Sequence, residues 1–139
     1  MNALPDTSMN PTIIEEFRAN GGKVGGPFKD ATLLLLHTTG AKSGQQRVNP
    51  VMCFRFDGKL MIVGSYAGAD VNPAWVHNLR AHSRAHIEIG TDSYDVEAHE
   101  LPRAERDAAF DHVVKRAPGF GDYQSKTDRI IPVFELRKV

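Results

Sequence analysis

Between two apolar runs the chain reads Thr38-Thr39-Gly40-Ala41-Lys42-Ser43-Gly44-Gln45-Gln46-Arg47. Hydroxyls, two cations and glycines that let backbone N–H groups turn toward one point are the materials of an anion site. A hydrogen bond to a charged group contributes about 1.5 to 3 kcal/mol, so two or three of them hold a phosphate-like group. The stretch is not a phosphate loop of the Walker A kind, which needs Gly directly before the Lys and a helix after it. Here Ala41 precedes Lys42 and a strand pattern follows. The alternative reading is a polar hairpin whose cations are solvated.

Two further segments carry reactive side chains. Ser65 and Tyr66 end an apolar run and lead through Gly68 toward Pro73, so this turn and a helix N-terminus either face one cleft or form an ordinary loop. Phe120, Tyr123, Gln124, Thr127 and Arg129 are expected in a loop before the last strand, where the aromatic pair either stacks on a planar ring or plugs the fold. His82 and His86 have i, i+4 spacing but no cysteine or carboxylate cluster to complete a closed set, so no metal is expected. There is no G-x-S-x-G elbow for a serine hydrolase. Cys53, the single cysteine, sits in an apolar stretch and reads as a core residue of a protein from a reducing compartment.

The composition says what these residues work within. The 139 residues suit one domain. Seventeen Lys and Arg balance 17 Asp and Glu, which argues against nucleic acid as a partner and makes any anion site local. The polar start carries no secretory pattern, and the Leu33 to Leu36 run is too short to span a bilayer, so a cytoplasmic protein is expected.

Thr12 is a candidate N-cap for an amphipathic helix bearing Ile13, Ile14 and Phe17, which packs on its own domain or touches a membrane or partner. Gly21 to Pro27 read as a linker or lid. Strands are expected at Ala31 to His37, Gln46 to Arg55 and Lys59 to Ser65, the last two joined by the strong hairpin signal Asp57-Gly58. A helix follows from Pro73 with Trp75 and Leu79 inward; Arg84 to Ile89 and Tyr94 to Leu101 form a second hairpin around residues 90–93. A helix after Pro102 and a strand at Ile130 to Leu136 close the chain. Six strands without βαβ spacing predict an antiparallel sheet curled into a barrel. The expected division is a helix and glycine-rich linker over residues 1–30 and a barrel domain over 31–139.

Taken together, four motifs resemble the deazaflavin-dependent nitroreductase family, reductases that use coenzyme F-420. They are Thr38 to Gly44 with Arg47, Asn49 and Pro50; Gly64-Ser65 with Gly68; Asn72-Pro73-Ala74-Trp75 with Asn78-Leu79; and Asp122-Tyr123-Gln124 with Thr127, Arg129 and Ile131-Pro132-Val133. The resemblance spans Gly25 to Leu136 and implies a six-stranded split β-barrel of the FMN-binding type with short flanking helices. It implies that Lys42, Ser43 and Arg47, beside Ala41, contact the cofactor's phosphate and acidic tail. Val48, Asn49, Pro50, Val51 and Met52 then border the deazaflavin ring, with Gly64, Ser65 and Tyr66. So do Trp75, Val76, His77 and Asn78, while Pro73, Ala74 and Phe120 count among the further cofactor-binding residues. Family members often carry Arg where Ala41 stands and Lys where Tyr66 stands, and some have Tyr at the position of Phe120.

The reaction implied is hydride transfer from the reduced deazaflavin to a quinone, an enone or coumarin-type lactone, or a nitro-aromatic ring, the protein supplying orientation and electrostatics. Ser65 or Tyr123 is placed to hydrogen-bond the acceptor or relay a proton. Rival readings are an FMN enzyme on the same barrel and a carrier without turnover. Monomer and homodimer both stay open, as does a peripheral membrane contact that would serve a lipid quinone.

Overall fold

The computed structural model describes residues 10–23 and 32–139. The expected linker's residues 24–27, Ala31 and the 30/31 division lie outside the described residues. Six antiparallel strands close into a barrel: β1 (Leu33–Thr39), β2 (Gln46–Phe56), β3 (Lys59–Val63), β4 (Arg84–Ile89), β5 (Asp92–Glu100) and β6 (Val133–Lys138). Around the barrel they run β1-β2-β3-β6-β5-β4. Among the described residues, closure gives every strand a neighbour on both sides. Four helices flank it: α1 (Asn10–Ala19), α2 (Ala74–Ala81), α3 (Arg103–Arg116) and α4 (Gly119–Ser125).

The strands form where period-two apolar patterns and turn residues coincide. Asp57 (φ 54°) and Gly58 (φ 74°) both take left-handed backbone, as a two-residue hairpin matched to strand twist requires. The second hairpin is tighter than its sequence suggests: Ile89 pairs with Asp92, so Gly90-Thr91 alone make the turn. The Leu33 to Leu36 run is continuously apolar because both faces of β1 are covered. Leu34 and Leu36 point into the barrel with Val51, Ile62, Trp75 and Phe134, while Leu33 and Leu35 pack under Phe17 of α1.

Three expectations need correction. Helix α1 starts at Asn10, so Thr12 lies in its first turn and is not its N-cap. The segment around Phe120 and Tyr123 is helix α4; two glycines in seven residues hid it, since glycine disfavours helix by about 1 kcal/mol relative to Ala. Residues 130–132 precede β6, whose ladder begins at Val133 after a proline that cannot donate a hydrogen bond.

Helix α1 is fastened by more than Phe17. Arg18 donates Nε and Nη2 to the two carboxylate oxygens of Glu88 on β4, at 3.1 and 2.8 Å, and His37 Nε2 stands 2.6 Å from Glu88 Oε2. The Arg18 hydrogen bonds, then that of His37, pull the Glu88 carboxyl down from 4.5 to about 2. A depressed carboxyl contributes stability that is complete above the unfolded value and lost as pH falls from about 4.5 toward 2. Acid unfolding should therefore show a component over that window that Glu88→Gln removes; superimposable pH titrations of the two proteins would sink this account. Cys53 is 5% exposed in the barrel, and burial pushes its thiol up to about 11, which keeps it protonated and unreactive.

Candidate active site

The Gly40 to Gln45 turn joins β1 and β2, with Thr38 opposite Arg47 and Thr39 opposite Gln46. Its backbone closes on itself: Gly40 N–H donates to Gln45 O (2.8 Å) and Gly44 N–H to Gly40 O (3.0 Å). Gly44 takes φ 71°, a left-handed conformation that favours glycine. Gln45 N–H donates to Ser43 Oγ (3.2 Å), and Ala41 N–H to Asn78 Oδ1 (2.9 Å). Four amides that a backbone anion cradle would use are thus already engaged, and anion binding falls to the side chains.

Those side chains border a cleft of about 730 Å³ between the turn, the start of β2 and α2. Its lining brings together Ala41, Lys42, Ser43, Arg47, Val48, Asn49, Ala74, His77 and Asn78, all expected from the sequence, and adds Gly40. The lining holds Lys42, Arg47 and His77 and no carboxylate. Among the described residues neither Lys42 nor Arg47 forms an ion pair, whereas Arg18, Arg80, Arg103 and Arg106 each pair with an acid. Unpaired cations at a concave surface favour an anionic ligand.

Asn78 lines the cleft and also fastens its turn. It is 6% exposed, and its amide spans the gap to the turn: Oδ1 accepts from Ala41 N–H and Nδ2 donates to Thr38 Oγ1 at 3.0 Å. It holds the cationic turn against α2.

Other expected site residues lie elsewhere. Val51, Trp75 and Val76 belong to the barrel core, and Trp75 meets Phe134 edge-on at 5.9 Å. Met52 packs outside the barrel beneath α1, Pro50 faces Leu35 across the ladder, and Pro73 caps α2. Phe120 is buried between Phe54 and Tyr123.

Gly64, Ser65, Tyr66 and Tyr123 gather where the turn after β3 meets α2 and α4. A Cβ on Gly64 would meet Val76 Cγ2 at 2.8 Å, and one on Gly68 would meet Tyr123 O at 2.8 Å, so the turn packs closely on α2 and α4. Tyr66 (φ 47°), Ala67 (φ 54°) and Gly68 (φ 81°) are consecutively left-handed. Each non-glycine residue in that region costs about 1 to 2 kcal/mol. The turn is gripped by Arg129, whose guanidinium donates to the carbonyls of Gly64, Ser65 and Ala69 and to Asn72 Oδ1. Burial lowers the Arg129 pKa. The residue was legible as part of a motif; its partners, 57 to 65 positions away, had no sequence signal.

A closed six-stranded barrel with a cation-lined, carboxylate-free cleft against a short helix suits an anionic ligand. The sequence matches the family described as "F420H(2)-dependent quinone reductase" over residues 11–138, and the chain belongs to that family. It is 34% identical over 126 residues to an F420H(2)-dependent quinone reductase of Mycobacterium tuberculosis, covering 88% of this chain and 85% of the relative. A solved F420-H2 dependent reductase superposes with a TM-score of 0.68 at 37% identity, over 76% of this chain and 93% of that one. A domain-swapped dimer superposes at 0.70 with 33% identity, over 89% and 94%. The protein is an F-420-dependent enzyme with the split-barrel fold.

Proposed function

We propose that the chain reduces a quinone with coenzyme F-420 anchored in the Lys42 and Arg47 cleft, and that flat enones, coumarin-type lactones and nitro-aromatic rings are accepted as well. The observation that carries this reading is the presence of two cations, unpaired among the described residues, in a lining without carboxylates, which suits a phosphate and acidic tail. When bound, the reduced coenzyme supplies a hydride. The chain's own residues do the rest: Lys42, Ser43 and Arg47 hold the tail, Asn78 fixes the turn that carries them, and α2 walls the cleft.

Ser65 and Tyr123 are assigned to the acceptor, to donate a hydrogen bond to its oxygen or deliver a proton there. Their support is proximity, since Gly68 of the Ser65 turn packs on Tyr123. Ser65→Ala and Tyr123→Phe should each lower kcat by about 10- to 100-fold while leaving F-420 affinity intact, the scale of one general acid or hydrogen-bond donor. Unchanged turnover in both variants would remove the assignment.

The deciding experiment is titration of the purified protein with oxidised F-420 and with FMN, followed by mixing with reduced F-420 and menaquinone. Deazaflavin binding and loss of reduced F-420 above background are expected. Tight FMN binding without F-420 binding would favour the flavin enzyme, and F-420 binding without oxidation the carrier. No helix among the described residues is long and apolar enough to cross a membrane. Val71 and Ile130, 53% and 45% exposed, are apolar side chains at the surface, and a peripheral contact with the membrane that holds a lipid quinone, from the cytoplasmic side, is part of the same proposal. Nucleic acid has no place in this reading, and a homodimer is favoured by the domain-swapped relative.

A further inference from the structure

The guanidinium of Arg129 donates to neutral acceptors, with the charge of Asp70 acting on it without a hydrogen bond. Its fork spans the left-handed stretch from both ends, reaching Gly64 O (3.1 Å) and Ser65 O (2.7 Å) before it and Ala69 O (2.8 Å) after it. A further bond from Nη1 reaches Asn72 Oδ1 at 2.8 Å. Asn72 directly precedes Pro73, the N-cap of α2, and Ala74, His77 and Asn78 of that helix line the cleft. One side chain therefore touches both the turn that carries Ser65 and the entry to the helix that walls the cofactor site.

The geometry it holds would not hold itself. Adjacent non-glycine residues at positive φ persist only where their surroundings over-determine them. Arg129 is in turn fixed from behind: Gln124 Nε2 donates to Arg129 O (2.7 Å), and Gln124 Oε1 accepts from Arg106 Nη2 (2.7 Å) and Ile131 N–H (3.1 Å). Arg106, buried at 8% exposure, also donates to Ile131 O at 2.8 Å. A continuous line of hydrogen bonds thus runs from α3 through α4 to the turn. Arg129 makes no ion pair with a described residue, and the carboxylate of Asp70 acts on it only through its charge; its four hydrogen bonds use the shape of the donor fork, which a lysine of the same charge lacks.

We propose that Arg129 is a positioning residue, whose guanidinium sets the Tyr66 to Gly68 turn and the entry of α2 and thereby shapes the cofactor cleft and the placement of Ser65. This rests on the cleft being the F-420 site. The test measures binding of oxidised F-420 to the cofactor-free protein, well below the unfolding temperature, for wild type, Arg129→Ala, Arg129→Lys and Asn72→Ala. Losing the fork should weaken binding about 10-fold or more in both Arg129 variants, and Asn72→Ala, which removes one acceptor, about 3-fold. Added methylguanidinium should restore affinity to Arg129→Ala and leave Arg129→Lys unchanged. Wild-type affinity in Arg129→Lys, or no recovery of folded Arg129→Ala with methylguanidinium, would overturn the proposal. If Arg129→Ala does not fold, Asn72→Ala decides: wild-type affinity there overturns it and the 3-fold loss upholds it. Failure of the wild-type protein to bind F-420 would instead strike the reading of the cleft itself, which separates the two.

Discussion

A protein carrying both Lys42→Ala and Arg47→Ala should bind oxidised F-420 about 100-fold more weakly than wild type in low-salt buffer, each cation contributing about one charge-assisted hydrogen bond. Both side chains are exposed at the cleft. Neither forms an ion pair with a described residue, so removing them strands no protein charge. Tm should consequently stay within about 2 °C, as for surface substitutions that touch no buried feature. The loss should shrink as salt rises toward 1 M, where the screening length is about 3 Å. Wild-type affinity in the double variant, or a deficit indifferent to salt, would show that the anion sits elsewhere. The backbone of the turn offers little to fall back on, because the amides of Gly40, Ala41, Gly44 and Gln45 are engaged within the protein.

The cationic part of the candidate site was legible in the sequence because its signal is local. Lys42, Ser43 and Arg47 lie in one hairpin, bracketed by strands that their own apolar patterns define, and the barrel follows from hairpins whose turns are written as Asp57-Gly58 and Gly90-Thr91. Residue type also carried Cys53 and Trp75 into the interior, although resemblance had set Trp75 at the ring. What sequence could not supply was the set of partners chosen by closing the barrel. Asn78 acts on residues 37 and 40 positions away, and Arg129 on others farther still. Helix α4 failed for another reason: Gly119 and Gly121 give it poor intrinsic propensity, and its stability comes from Phe120 packed against Phe54 and from the Arg106 and Gln124 bonds, which are tertiary.

Asn78→Ala should be the most damaging single change at the cleft, lowering Tm by about 10 °C and F-420 affinity along with it. The direction of the amide is set by its partners: Ala41 N–H can only donate, so Oδ1 must face it, which turns Nδ2 toward Thr38 Oγ1. Asn78 and Thr38 are 6% and 1% exposed, so water cannot readily replace the amide at Thr38, whereas Ala41 is exposed. Truncation leaves a buried hydroxyl short of a partner, at about 1 to 3 kcal/mol, empties the space the amide filled and releases the Ala41 N–H to solvent. Thr38→Val separates the two halves, since it removes the hydroxyl and leaves the bond to Ala41. Fastening of the turn to α2 then persists, so Thr38→Val should keep most of its F-420 affinity while losing some stability, and Asn78→Ala should lose both. The contrast distinguishes a clamp from a cofactor contact. A residue that merely touched the ligand would lower affinity and leave Tm in place, and that result for Asn78→Ala would return Asn78 to the role its motif implies.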